Sequence, residues 1–263
     1  MKQINVSKLF GKGKTLLLAY DQGLEHGPKS DFNLTNCNPE YIINIGIKGK
    51  YNGLIFQKGI AEHYHENYAK KIPLIVKLNG KTHLMQREPI AKQTCFVKKA
   101  VDLGADAVGY TIYVGSEYEP EIFREFGKIQ EEAHDYGLPV IAWMYPRGKA
   151  VENELNTDLL AYSARIGLEL GADILKIKYN GDKEGFKWIV KCAGKAKVCI
   201  AGGSKTNDKE LLIHLKDALD AGVVGMAVGR NVWQHNKPLS ITKAIKKIIF
   251  ENKKVEEALK LIR

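Results

Sequence analysis

The chain has 263 residues, 44% of them hydrophobic, and its 40 Lys and Arg against 30 Asp and Glu leave a formal charge of +10. That composition excludes a disordered polyanion or low-complexity tail, and no run approaches the ~18 uninterrupted apolar residues of a membrane helix. The length fits two small domains or one α/β barrel of roughly 250 residues; the charge implies nucleic acid, a membrane surface or a phosphorylated substrate, or no partner at all.

The first residues, MKQINVSKLFGKGK, are basic but carry no apolar core or small-residue cleavage site of a signal peptide. Cys37, Cys95, Cys192 and Cys199 lie far apart without CxxC spacing. Both features suit reduced thiols and a cytoplasmic location.

Short apolar runs then alternate with longer amphipathic stretches. Strands are expected at 15–21 (TLLLAYD), 53–57 (GLIFQ), 74–78 (LIVKL), 107–111 (AVGYT), 140–145 (VIAWMY), 174–178 (ILKIK), 198–201 (VCIA) and 225–228 (GMAV). Helices are expected between most of them, including 120–136, 157–170 and 208–220, with starts at Thr157 and Asp208 and stops at Gly104, Gly137, Gly171 and Gly222. The phrases AVDLGADAVGY, IGLELGADILK and ALDAGVVGMAV each read as helix end, glycine, strand. Eight such units predict an α/β fold, a single (β/α)8 TIM barrel over about 15–250 with a C-terminal helix to 263. The alternative is a doubly wound open sheet. Its dinucleotide-binding version is disfavoured because no G-x-G-x-x-G follows the first strand.

In a barrel, function sits at the C-terminal ends of the strands. Period-two alternation in ILKIK puts Ile174, Lys176 and Lys178 on one face, where a strand buried on both sides normally carries Val, Ile or Leu. Inward lysines are costly unless paired or functional. Desolvation and a neighbouring cation both depress a lysine pKa and free the lone pair for attack on a carbonyl. Lys178 is expected to supply that charge to Lys176, and alternation alone does not say which of the two is the nucleophile. In WMYPRG the same rule puts Trp143 and Tyr145 on one face beside the lysine strand. A phenol there can move protons, its pKa lowered by an adjacent iminium or ammonium. The strand ends AGGSK and VGRN supply Ala201, Gly202, Gly203, Gly229 and Arg230, whose backbone N–H groups and guanidinium suit a phosphate. In AYDQGLEHGP, Asp21 closes the first strand and is placed to orient the lysine or accept a sugar hydroxyl; His26 follows five residues later.

No metal site is expected: the seven His are scattered, His63 and His65 lack a third ligand nearby, and HExxH is absent. Without GxSxG a serine hydrolase is disfavoured. The basic residues are dispersed and often beside acids (Lys183–Glu184, Lys209–Glu210, Glu256–Glu257–Lys260), as on solvated helix faces rather than a nucleic-acid surface.

Taken together, LAYDQGLEHGP, KLNGKT, GADAVGYTIYVGS, WMYPRG, GADILKIKYNGD, GGSK and VGRNVWQ make the chain resemble the archaeal-type class I fructose-1,6-bisphosphate aldolases, the DhnA-type family, over about residues 15–245. The resemblance implies a (β/α)8 barrel and Schiff-base chemistry with no cofactor and no metal. It implies fructose 1,6-bisphosphate, dihydroxyacetone phosphate and glyceraldehyde 3-phosphate as partners, with neither nucleic acid nor membrane, and a homo-decamer built as a dimer of pentamers. It puts the Schiff base on Lys176 and proton transfer on Tyr145. Asp21, His26, Trp143, Arg147 and Lys178 match substrate-contacting positions, and Ala201, Gly202, Gly203, Gly229 and Arg230 the phosphate loops. Gln22 stands at a substrate position where the family usually has His; Ala201 and Ser204 replace Ser and Pro. A related branch, which makes a deoxyheptulosonate-type sugar, shares YPRGK and VGRN but tends to carry Met where Trp143 stands.

Overall fold

Each apolar run forms a strand because its two faces meet two different apolar surroundings. In the computed structural model, which describes residues 4–27 and 31–262, the strands are β1 (Thr15–Ala19), β2 (Gly53–Gln57), β3 (Leu74–Lys77), β4 (Ala107–Val114), β5 (Val140–Pro146), β6 (Ile174–Lys178), β7 (Lys197–Ala201) and β8 (Gly225–Val228). All neighbours are parallel, and β1 pairs with β8, so the sheet closes into a barrel in chain order. This is the (β/α)8 barrel; the open-sheet alternative falls with the β1–β8 ladder.

Alternation sorts the core into two layers. Leu17, Ala19, Ile55, Ile75, Ala107, Ile141, Ile174, Cys199 and Ala227 fill the barrel interior, and Leu9, before β1, packs against them from the N-terminal end. Leu16, Leu18, Leu54, Phe56, Val76 and Leu175 point outward and meet helix residues such as Ile42, Phe126, Leu212 and Ile245. The interior is thus packed at the N-terminal end and opens at the C-terminal ends of the strands.

The expected helices appear at Glu119–Asp135, Thr157–Glu169 and Asp208–Asp220. Asn156 and Asn207 cap the last two, accepting from Leu159 N at 3.0 Å and Glu210 N at 2.9 Å. Gly104, Gly137, Gly171 and Gly222 end helices with φ between 73° and 107°, a conformation other residues adopt at a cost. At Gly225 a Cβ would stand 1.8 Å from the Thr15 carbonyl oxygen, so only glycine lets β8 close against β1.

Some expectations shift. β1 ends at Ala19, not Asp21: Tyr20 N still donates to Ile55 O at 3.0 Å, but the chain then turns into the short helix Gly23–His26. β4 runs three residues further, to Val114, because Ile112, Tyr113 and Val114 keep pairing with β5. The C-terminal segment is two helices, Pro238–Glu251 and Val255–Leu259. Pro28 and Arg263 lie outside the described residues. Adjacent residues on a helix do not face each other: Lys183 reaches Asp220 at 2.9 Å on the next helix, while Glu184 takes Lys187. Among the described residues no helix is long and apolar enough to cross a membrane.

Candidate active site

A cavity of about 720 Å3 opens at the C-terminal ends of the strands. Lys176, Tyr145, Asp21, Gln22, His26, Trp143, Arg147, Lys178, Ala201, Gly202, Gly203, Gly229 and Arg230 all line it. They come from β1, β5, β6, β7, β8 and the loops that follow, so closure of the barrel brings together residues up to 209 positions apart.

On β6, Leu175 and Ile177 are buried against the helices, and Lys176 stands inward above Ile174, 6% exposed. Trp143 on β5 and Cys199 on β7 flank it in register. Its Nζ lies 4.9 Å from the Trp143 ring centroid. Burial lowers the Lys176 pKa, Arg230 lowers it further, and Asp21, Cys199 and Glu25 pull the other way. Burial pushes the Cys199 thiol up to about 12.

The second buried cation is not the expected one. Lys178 is tied to the Glu154 carboxylate, whereas Lys77 on β3 is 5% exposed and stands 5.2 Å from the same Trp143 ring. Lys77 Nζ lies 4.0 Å from Asp21 Oδ2 and donates to Asn79 O at 3.4 Å. Burial lowers its pKa, Asp21 opposes this, and Lys176 adds to it. The sequence carried the signal: LIVKL is an apolar strand broken by one lysine, and Ile75 already faces the interior. Room for the indole comes from β4, where a Cβ on Gly109 would stand 2.1 Å from the Trp143 ring.

Tyr145 follows Trp143 on the same face. Burial and the carboxylates of Asp21 and Glu25 raise its phenol above the ordinary value, against a smaller opposing effect of Arg147. The expected lowering therefore has to come from a cation formed closer to the ring. Arg147 Cζ and Lys178 Nζ stand 5.1 Å and 5.8 Å from its centroid. Glu154 holds both cations, accepting from Arg147 Nε at 2.9 Å and from Lys178 Nζ; Arg147 also lies 3.5 Å from Glu25.

On the opposite side, Asn231 shapes the β7 loop. Its amide donates to Gly202 O at 2.7 Å and Ser204 O at 3.0 Å, and its Oδ1 accepts from Thr206 N at 2.9 Å. Arg230 lies 3.4 Å from Asp31 and 3.4 Å from Gly203 O. Asp31 also takes His26 Nδ1 at 2.7 Å, so one buried carboxylate ties the first loop to the last. Gln22 lies against Gly229, where a Cβ would meet its Nε2 at 2.7 Å. Sequence reasoning missed Lys77, Glu25, Asp31, Glu154 and Asn231. Glu25, His26 and His83 each bring a metal-ligand atom within 4.8 Å of the others. Arg147 against Glu25 places a guanidinium where a metal ion would compete.

A closed parallel barrel with two lysine amines buried beside an indole, and glycine-rich loops around its mouth, defines an enzyme of the barrel class that acts at strand C-termini. Within that class the chain belongs to the DeoC/LacD family of aldolases, whose model matches residues 15–235. The class 1 fructose-bisphosphate aldolase of Thermoproteus tenax is 47% identical over 251 residues, covering 94% of each chain. A solved Schiff-base-forming fructose-1,6-bisphosphate aldolase, studied through its reaction intermediates, superposes with a TM-score of 0.89 at 46% identity, covering 92% of this chain and 97% of that one. An archaeal fructose-1,6-bisphosphate aldolase with its catalytic Lys covalently bound to the carbinolamine intermediate gives 0.87 at 45% identity, covering 94% and 96%.

Proposed function

We propose that the chain is a class I aldolase that reversibly cleaves fructose 1,6-bisphosphate to dihydroxyacetone phosphate and glyceraldehyde 3-phosphate, in glycolysis and gluconeogenesis. The observation that carries the reading is Lys176: an amine whose charged form is disfavoured by burial, on the inward face at the middle of β6, in a chain 47% identical to a class 1 aldolase.

The neutral amine of Lys176 attacks the C2 carbonyl and forms a carbinolamine. The Tyr145 phenol, held protonated by its surroundings, gives its proton to the C2 hydroxyl, which leaves as water. The iminium stabilises the resulting phenolate, which takes the C4 hydroxyl proton. The C3–C4 bond breaks, glyceraldehyde 3-phosphate departs, and the bond's electron pair becomes an enamine. Tyr145 returns its proton to C3, water adds to the regenerated iminium and gives its proton to the phenolate, and the carbinolamine collapses to dihydroxyacetone phosphate and the free Lys176 amine. The iminium is the electron sink, so the chemistry calls for no metal. Ala201, Gly202, Gly203, Gly229 and Arg230 hold one phosphate and Arg147 with Lys178 the other, which fixes the reacting carbons between them. Asp21, Gln22, His26 and Trp143 line the sugar between the two anions. A cytoplasmic homo-decamer built as a dimer of pentamers completes the reading.

The test is borohydride reduction in the presence of fructose 1,6-bisphosphate, with peptide mass mapping. A substrate-dependent adduct on Lys176 is expected. An adduct on Lys77 or Lys178 overturns the assignment, and no adduct overturns Schiff-base chemistry.

A further inference from the structure

The two cations assigned above to the second phosphate already hold an anion of the protein itself. Glu154 stands in the loop between β5 and the helix Thr157–Glu169. One carboxylate oxygen accepts from Arg147 Nε at 2.9 Å and the other from Lys178 Nζ, a two-point grip of the kind a phosphate would receive. The loop around Glu154 is fixed on both sides. Lys149 N donates to Glu88 Oε1 at 2.9 Å, Asn180 Nδ2 donates to Leu155 O at 3.3 Å, and Asn156 caps the following helix. The backbone therefore delivers the carboxylate to the cations, and its release needs only side-chain rotation. With 37% of the side chain exposed, water can receive it.

A carboxylate brings one negative charge and a phosphate monoester about 1.5 to 2. Arg147 and Lys178 keep other N–H donors, but a phosphate seated on the same two cations lies beside the Glu154 carboxylate, and like charges that close repel, so the carboxylate opposes the phosphate until it turns away. We infer that Glu154 is a specificity-determining residue, an internal competitor that keeps Arg147 and Lys178 from free anions and yields them to a phosphate delivered on a sugar anchored elsewhere in the cavity. Free inorganic phosphate meets the competition unaided. A bisphosphorylated sugar meets it with binding energy from its other end. The inference rests on the reading of this cavity as a sugar-phosphate site. It adds that the protein lowers its own phosphate affinity at one end.

Glu154→Gln keeps the shape and removes the charge; Glu154→Ser removes the group, should the amide take the carboxylate's place. Two measurements apply to both. The ratio of kcat/KM for fructose 1,6-bisphosphate over fructose 1-phosphate, which lacks the second phosphate, should rise by about two- to fivefold, the range expected for losing a partly exposed ionic competitor. The Kd of inorganic phosphate, read by titration calorimetry, should fall by a similar factor. A ratio that falls or stays level, or a phosphate Kd that rises or does not move, overturns the inference and leaves Glu154 a residue that merely positions the two cations. If the unaltered protein cleaves neither sugar, the aldolase reading fails instead, and the phosphate titration still decides the role of Glu154.

Discussion

Lys176 and Lys77 share one indole ring, and each is an amine that burial pushes toward neutrality. Asp21, 4.0 Å from Lys77, favours the charged form of both. Repulsion between like charges is mutual, so a protonated Lys77 beside Asp21 helps keep Lys176 neutral. Lys77→Met removes the repulsion and leaves Asp21 to Lys176 alone, so the Lys176 pKa rises. The acidic limb of adduct formation then moves to higher pH, and trapping by borohydride near neutral pH slows by about three- to tenfold. The pH profile of trapping checks it; a limb that stays in place, or moves toward acid, contradicts the coupling. Lys176, Trp143 and Tyr145 were legible because alternation in a short strand assigns faces without any tertiary information. Lys77 obeys the same rule but stands alone in its strand, with no second lysine to draw attention. Glu154 and Asp31 were not legible, since each joins a partner near in sequence, Arg147 or His26, to one 24 or 199 residues away, and meets both only through folded loops.

Among the elements, β4 and β5 make the most extended ladder, seven register pairs from Val108↔Val140 to Val114↔Pro146. This ribbon carries Tyr145 up to the mouth of the barrel. The extra β4 residues were missed because Ile112, Tyr113 and Val114 are all apolar and show no alternation against the preceding Thr111. At the end of β3, buried Asn79 takes over from the ladder. Its amide donates to Ala91 O and Thr111 O, both at 2.9 Å, and its Oδ1 accepts from Thr111 N at 2.8 Å. Gly109 lies across the ladder from Lys77, and its missing side chain is what admits the indole. Gly109→Ala puts a methyl 2.1 Å from ring carbons, so the Trp143 side chain must leave its place against both lysines. The barrel should still fold, with about 1–3 kcal/mol lost to overpacking. That is a fall of several degrees in Tm for a chain of this length, with reduced cleavage and altered tryptophan emission. A variant with unchanged Tm and emission shows that the ring does not need the glycine.

At the scale of the whole molecule, the charge of +10 divides into two parts. One is the surface excess of basic residues, since lysines in ion pairs such as Lys98–Asp102, Lys187–Glu184 and Lys247–Glu251 cancel against their acids and add nothing to it. The other part is six cations in the cavity (Lys77, Arg147, Lys176, Lys178, Lys205 and Arg230) facing four acids, Asp21, Glu25, Glu154 and Glu210. The fold class was legible because the helix–glycine–strand phrase recurs, and each recurrence costs the chain one left-handed residue that few others than glycine supply. Assembly was not written in any such local rule and rests on the family resemblance. The surface leaves Leu84, Phe96, Tyr162 and Trp188 at least half exposed. The proposed decamer of 29.4 kDa protomers should sediment at ten times the protomer mass. Because association stabilises the folded form by mass action, Tm should also rise with protein concentration. Sedimentation velocity across a hundredfold range of concentration, with melting curves at each end, checks both. A single monomeric boundary with a concentration-independent Tm removes the decamer from the reading and leaves the barrel chemistry as it stands.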